Sequence, residues 1–172
     1  LAWCVREAVS AVHTTPTVLM SWLALAGTEL AQLRLRWIFV SGEPLGDNVV
    51  HAWRERFPTG GAIVNLYGQT ETTLAKCYYV VPTSVEAGLQ PIGSSLPGSQ
   101  VLVLSPRGTQ CGIGELGELV VRTPYRSLGY LDLPEETRRR FLRNPWRDDP
   151  LDLLYFSGDL GRRRADGLLE LT

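Results

Sequence analysis

The first half of the chain contains an apolar run that ends abruptly in a polar loop. Residues 62–66 are mainly apolar and predict a buried strand; the run breaks at Gly68, and the side chains of Thr70 and Glu71 follow. In a parallel α/β sheet, ligands bind beyond the carboxyl ends of the strands. A threonine hydroxyl suits a phosphate group, and a carboxylate is a hard oxygen ligand for Mg²⁺. The stretch therefore predicts nucleotide handling at the end of a strand.

Alternating helix and strand signals precede this loop. Thr15, followed by a proline, predicts the start of a helix over residues 17–26, with a glycine as its C-terminal stop. Residues 37–40 are continuously apolar and predict a strand buried on both faces, and Asp47 is placed to cap the next helix. This order of elements predicts a parallel sheet with crossover helices, as in a doubly wound domain.

The second half has a different pattern. The composition changes near residues 83–91, and turn residues then separate several short apolar runs. Those runs cover residues 101–104, 118–122, 153–156 and 168–171. They predict an antiparallel β structure, forming a small distorted barrel.

Charge and cysteine content exclude several classes of function. A net charge of -1 gives no electrostatic reason to expect a nucleic-acid partner. The arginine runs 138–140 and 162–164 lie among acidic residues, which predicts mutually paired surfaces. Three cysteines without paired spacing argue against a disulfide framework and a zinc site, and favour the reducing cytoplasm. The apolar run 18–27 is too short to span a bilayer and lacks the basic flank of a signal peptide, so a core helix is expected and no membrane association.

Five sequence motifs, in order along the chain, resemble those of the adenylate-forming superfamily. This superfamily includes the adenylation domains of nonribosomal peptide synthetases, acyl- and aryl-CoA ligases and luciferases. The motifs are Ser41-Gly42-Glu43-Pro44-Leu45, Tyr67-Gly68-Gln69-Thr70-Glu71, Gly114-Glu115-Leu116-Gly117-Glu118-Leu119, Gly129-Tyr130-Leu131 and Tyr155-Phe156-Ser157-Gly158-Asp159-Leu160. The sequences of residues 111–115, 123–130 and 144–149 are more similar to those of peptide synthetases than to those of CoA ligases. The resemblance implies a flavodoxin-like α/β subdomain over residues 1–90 and a β-barrel subdomain over residues 91–172, as the central part of a domain that continues into a hinge and a C-terminal domain.

The resemblance also implies roles for individual residues. Thr70 contacts the α-phosphate of ATP, and Glu71 holds Mg²⁺. Tyr67 stacks on adenine and Asp159 binds the ribose hydroxyls. The remaining nucleotide contacts are assigned to Gly42, Glu43, Asn65, Leu66 and Gly68. The pocket for the acid substrate is assigned to His13, Phe39, Ser41, Leu66, Leu74 and Ala75.

The implied reaction joins an amino acid or related acid to AMP. Pyrophosphate is released, and the acyl group then passes to the phosphopantetheine thiol of a carrier domain in secondary-metabolite synthesis. Gln69 departs from the proline usual in peptide synthetases, so an acyl- or aryl-CoA ligase is an alternative. A non-catalytic nucleotide-binding module is a second alternative.

Simpler explanations compete for single residues. Thr70 and Glu71 together could form an ordinary helix cap and acidic first turn. Tyr67 could only fill space between sheet and loop, Asp159 could be a turn residue after a glycine, and His13 could be a hydrogen-bonded core histidine.

Overall fold

A computed structural model describes residues 2–25, 32–58 and 60–172. The chain divides into two compact units, Leu1–Leu66 with Tyr79–Pro91, and Tyr67–Tyr78 with Ile92–Thr172. The predicted division into residues 1–90 and 91–172 placed residues 67–78 with the first part. The structure groups them with the second because Tyr67 and Cys77 pack in the core of that unit.

The first unit consists of a parallel sheet and helices. Its helices are α1 (Ala2–Arg6), α2 (Pro16–Ala24) and α3 (Asp47–Arg56), and its strands are β1 (Ala11–Thr14), β2 (Trp37–Val40) and β3 (Ala62–Tyr67). Strand β2 pairs in parallel with β1 on one side and with β3 on the other. Helices α2 and α3 connect these strands in turn. The predicted parallel α/β arrangement is confirmed.

One face of this sheet packs against α2 and α3. Its core includes Ile38 and Val40 from β2, Leu19 from α2 and Trp53 from α3, each at most 1% exposed. The prediction that β2 is buried on both faces is wrong, since Trp37 is 42% exposed. Successive side chains of a strand point to opposite faces, and in this unit the two helices cover the face of Ile38 and Val40.

The helix ends follow local chemistry. The Thr15 hydroxyl accepts a hydrogen bond from the backbone N–H of Val18 at 3.3 Å, which confirms the predicted cap of α2. The prediction extended this helix to residue 26, but it ends at Ala24 with Leu25 as its C-cap, and the predicted stop Gly27 lies outside the described residues. Asp47 was predicted as a cap but is the first helical residue of α3, because Gly46 already has the extended backbone of an N-cap. No helix within the described ranges is long and apolar enough to cross a membrane.

The second unit is an antiparallel β structure with one short helix. Its elements are β4 (Cys77–Val80), whose first residues belong to this unit, β5 (Ser94–Ser95), β6 (Gln100–Leu104), β7 (Gly117–Arg122), α4 (Pro134–Arg140), β8 (Phe141–Arg143), β9 (Leu153–Arg163) and β10 (Leu169–Leu171). Strands β6 to β10 form one sheet with the order β10-β9-β7-β6, in which β8 also pairs with β9. The predicted antiparallel fold is confirmed, but the sheet is open, and it does not close into a barrel within the described chain.

The arginine runs pair with acidic neighbours, as predicted. On α4, Arg138 pairs with Glu135, and Arg139 lies 2.7 Å from a carboxylate oxygen of Glu136. Arg162, on β9, lies 2.5 Å from Glu170. These exposed pairs explain the clusters as solvated surface, and each adds little stability.

Candidate functional site

The loop that follows β3 is closed at its base. The backbone N–H of Lys76 donates to the carbonyl of Tyr67 at 2.6 Å. A methyl group added at Gly68 would lie 2.1 Å from the carbonyl oxygen of Leu74 and 2.8 Å from Cα of Ala75. Backbone atoms cannot yield to such a clash, so only glycine fits at this close approach. The loop that carries the predicted phosphate and metal contacts is therefore compact.

Thr70 and Glu71 do not cap an α-helix. They begin a 3₁₀ turn of three residues, Thr70–Thr72, with Gln69 in the N-cap position and no side-chain capping bond. The Thr70 side chain is exposed on the surface of this loop. Helix capping therefore does not account for the threonine and glutamate pair.

A bulge in β9 changes the direction of its side chains. Glu118 of β7 faces Leu160, but Val120 faces Phe156, so the register between the two strands shifts. Residues 157–159 of β9 consequently lie opposite a single residue of β7. Bulges of this kind re-aim side chains and are common beside active sites.

Side-chain and backbone hydrogen bonds hold the bulge. The Ser157 hydroxyl donates to the carbonyl of Leu119 at 2.6 Å and accepts from the N–H of Asp159 at 3.0 Å. The N–H of Gly158 donates to the Glu118 carboxylate at 2.8 Å, and Gly158 has a φ of 85°. The sequence Ser157-Gly158-Asp159 thus fixes the position of the Asp159 carboxylate.

The loop and the bulge meet at Asp159. The Tyr67 hydroxyl donates to Asp159 Oδ2 at 2.8 Å, and Gln69 Nε2 donates to the same oxygen at 2.9 Å. Gln69 Nε2 also lies 2.6 Å from the Tyr67 hydroxyl. Burial is the main cause that raises the pKa of Tyr67, so its hydroxyl remains protonated and donates. The Asp159 carboxylate therefore joins the loop to a strand that lies 90 positions further along the chain.

Glu71 is held by an aromatic residue from the second half of the chain. The Tyr130 hydroxyl donates to Glu71 Oε1 at 2.6 Å. Burial by itself raises the pKa of the Glu71 carboxyl, but hydrogen bonds from Tyr130 and Tyr155 and the charge of Arg140 lower it more, and the net pKa is below the ordinary value. Glu71 is therefore ionised at neutral pH and fixed in orientation.

This carboxylate suits Mg²⁺ better than it suits a structural metal. Mg²⁺ is usually held by one or two carboxylates together with substrate phosphates and water. Within the described residues no group of three or more His, Cys, Asp or Glu side chains is placed to hold a metal ion. The ionised Glu71, on a loop beside the exposed Thr70, would therefore suit a Mg²⁺ ion whose other ligands are the phosphates of a nucleotide and water.

In the first unit, four of the six predicted pocket residues share one face of the sheet. His13 pairs in register with Phe39, and Phe39 with Val64, so Leu66, two residues beyond Val64, lies on the same face. Ser41 follows Phe39 by two residues, and its hydroxyl lies 2.6 Å from His13 Nε2. His13 is exposed, so it is not a core histidine. The face opposite the helix-covered core therefore carries two polar groups among apolar ones.

Three of the predicted nucleotide contacts have structural roles in this unit. Gly42 has a φ of 83°, a conformation that favours glycine, and a methyl group added there would lie 3.8 Å from Cγ2 of Thr15. Glu43 accepts hydrogen bonds from the N–H of Thr17 at 3.0 Å and from its hydroxyl at 2.6 Å, which holds the first turn of α2. Asn65 is 4% exposed and donates to the carbonyl of Pro91 at 2.8 Å. Their contacts with a nucleotide remain a prediction.

The last two pocket residues, Leu74 and Ala75, belong to the second unit, and Leu74 is 68% exposed. Tyr130 and Ser157 lie inside the family motifs, but the sequence alone predicted no role for them. Gln69 stood out only as a departure from proline. Position within a motif was the one available signal for these three residues, because each of them has a hydrogen-bond partner that is distant in the chain.

Comparison with known proteins places the chain in a family. The model of the family described as AMP-binding enzyme matches residues 1–131. This match covers most of the chain, so the chain belongs to the AMP-binding enzyme family, as the motifs predicted. Members of this family are enzymes.

Curated relatives are large synthetases. Tenellin synthetase of Beauveria bassiana (strain ARSEF 2860) is 33% identical over 179 residues, and surfactin synthase subunit 1 of Bacillus subtilis (strain 168) is 32% identical over 170 residues. The alignments cover 95% and 96% of this chain. The chain spans only 4% and 5% of the length of these relatives.

Solved structures confirm the fold class. The crystal structure of CmiS6 matches 99% of this chain with a TM-score of 0.89 and 30% identity, and the match covers 42% of that chain. PA1221, an NRPS protein containing adenylation and PCP domains, matches 97% of this chain with a TM-score of 0.86 and 27% identity, over 33% of its own chain. The α/β unit followed by antiparallel β strands is therefore an arrangement found in these proteins.

Proposed function

We propose that this chain is part of an adenylation domain of a nonribosomal peptide synthetase. The domain activates an amino acid or a related carboxylic acid with ATP, forms an acyl-adenylate and releases pyrophosphate. The acyl group then passes to the phosphopantetheine thiol of a carrier domain. The observation that carries the proposal is one loop whose Tyr67 and Gln69 hold Asp159 and whose Glu71 is fixed and ionised. The synthetase relatives support the choice of reaction.

Each residue of the loop has a defined task in this reaction. A carboxylate oxygen of the acid attacks the α-phosphorus of ATP, and the bond to the bridging oxygen of pyrophosphate breaks. The exposed Thr70 hydroxyl donates to an oxygen of the α-phosphate. Glu71 is the residue that would hold Mg²⁺, which when bound neutralises the phosphate charge. Asp159, oriented by Tyr67 and Gln69, accepts the ribose hydroxyls, for which a carboxylate is a strong acceptor.

Contacts with the acid are assigned, as the resemblance implies, to His13, Phe39, Ser41 and Leu66 on one face of the first unit, and to Leu74 and Ala75 in the second unit. The lining is mainly apolar, with the bonded His13 and Ser41 as its polar point. Such a lining suits a medium-sized or aromatic side chain.

Gln69 is the observation that keeps an acyl- or aryl-CoA ligase as the second candidate. Its amide donates to both Tyr67 and Asp159, contacts that the proline usual in peptide synthetases cannot make. Both candidates share the adenylation step and differ in the thiol that receives the acyl group.

Pyrophosphate exchange tests the proposal. The full-length protein is expected to exchange labelled pyrophosphate into ATP when one amino acid of a panel is present. The same assay is run with fatty and aryl acids, and thioester formation is then measured with CoA and with a phosphopantetheinylated carrier. Activity only with a fatty or aryl acid and CoA replaces the proposal with the ligase, whereas nucleotide binding without exchange identifies a binding module.

Enlarging Ser41 is expected to change the acid preference. Ser41→Leu fills space on the pocket face, so kcat/KM should shift toward smaller acids by a factor that corresponds to about 1–3 kcal/mol. Ser41→Ala is the matched control, because it removes the hydroxyl that bonds His13 without adding volume. An unchanged ranking of acids in Ser41→Leu excludes Ser41 from the pocket.

A further inference from the structure

Lys76 is a buried cation that the proposed reaction does not use. It is the only lysine of the sequence. The residue is 6% exposed, and its Nζ donates to the carbonyl oxygens of Thr73 at 3.0 Å and Ala75 at 3.1 Å. A buried charged group is costly unless it forms hydrogen bonds, so these two carbonyls are its compensation.

The two carbonyls flank a strained turn. Thr73 and Leu74 have φ angles of 61° and 58°, in the left-handed region that non-glycine residues rarely adopt. For a β-branched residue such as threonine, this conformation is a genuine outlier. Strained backbone persists only where surrounding contacts determine it, and it concentrates at ligand sites. Here the Lys76 ammonium binds the carbonyl oxygens of the residues before and after Leu74.

The turn determines where two predicted pocket residues lie. It brings the carbonyl of Leu74 against Gly68, so closely that a methyl group there would be 2.1 Å away. It also leaves the Leu74 side chain 68% exposed. The Thr73 hydroxyl fixes the other side of the turn by donating to the carbonyl of Tyr125 at 2.7 Å. Leu74 and Ala75 thus belong to a strained backbone segment, which is held in place by the hydrogen bonds of Thr73 and Lys76.

We propose that Lys76 is a positioning residue for recognition of the acid: its buried ammonium holds the left-handed Thr73–Leu74 turn and thereby fixes Leu74 and Ala75, the two residues of the second unit to which contacts with the acid are assigned. This proposal rests on the proposed function, since it assigns a specificity role within that same site. A neutral side chain of similar length would leave two carbonyls without their donor, which favours relaxation of the turn.

The test compares acids of different size in the full-length protein. Lys76→Met is expected to change the ratio of kcat/KM between the preferred acid and a larger or smaller acid at least tenfold, while the KM for ATP changes less than threefold. Arg107→Met, in an exposed turn, is the control for loss of a cation and should leave both values unchanged. A parallel fall in kcat/KM for all acids, or no change, overturns the proposal, because a merely structural lysine would not alter the ratio.

Thr73→Ala makes the test independent of the folding of Lys76→Met. This variant keeps Lys76 and removes the hydroxyl that donates to the carbonyl of Tyr125, so it loosens the same turn from its other side. The ratio of kcat/KM between the two acids should shift in the same direction as in Lys76→Met. An unchanged ratio in Thr73→Ala overturns the role of the turn. The unmodified protein is assayed in parallel: if it activates no acid, the proposed function fails and this proposal with it.

Discussion

Replacing Glu71 with glutamine is expected to lower the rate of pyrophosphate exchange by about 10²–10³-fold, by analogy with the loss of one preorganised group that stabilises transition-state charge. Glutamine keeps the size of the side chain and can still accept a hydrogen bond from Tyr130, which lies 2.6 Å from Glu71 Oε1. It removes the negative charge that would hold Mg²⁺. The measurement is kcat at saturating acid and ATP over a series of Mg²⁺ concentrations.

Glu135→Gln is the matched control for this variant. Glu135 lies on the exposed helix α4 and pairs only at the surface with Arg138, so its exchange rate should equal that of the unmodified protein. If Glu71→Gln loses less than tenfold at every Mg²⁺ concentration, Glu71 does not hold the metal.

Truncating Trp53 should have the largest effect on stability. Trp53→Ala is expected to lower the free energy of unfolding by about 3–5 kcal/mol, because a large core side chain leaves a cavity. Trp53 is 1% exposed, stacks at a tilt on Phe57 with a centroid distance of 4.5 Å, and donates from Nε1 to the carbonyl of Gly60 at 3.0 Å. Its helix packs on the sheet that carries His13 and Ser41, so the pocket should be lost with the fold. Urea denaturation provides the measurement.

Trp3→Ala removes the same side chain from an exposed position, since Trp3 is 58% exposed on α1. The loss for Trp3→Ala should be below about 1 kcal/mol, as for most surface substitutions. Equal losses for the two variants would show that Trp53 does not support the core of the first unit.

Local sequence patterns predicted the elements well where local physics determines them. The apolar runs became β2 and β3, and Thr15 caps α2, because strand burial and capping depend on neighbouring residues. The prediction for Asp47 failed by one residue, since capping depends on where helical dihedrals begin and not only on which polar residue is present. The burial of Trp37 was also wrong, because a continuous apolar run does not reveal how many faces of a strand are covered.

By itself, the sequence determined the family, the α/β unit followed by antiparallel strands, and the loop with Thr70 and Glu71, because ordered motifs and hydrophobic period are properties of neighbouring residues. Only the tertiary structure decided how the site is held. Tyr130 reaches Glu71 across 59 positions, and the β9 bulge turns Asp159 toward Tyr67 across 92. The environment of Lys76 was also decided by the tertiary structure, because its ammonium binds two carbonyl oxygens beside a turn with left-handed backbone dihedrals. Such contacts depend on strand register and backbone dihedrals, which arise when distant segments pack and leave no periodic signal in the chain.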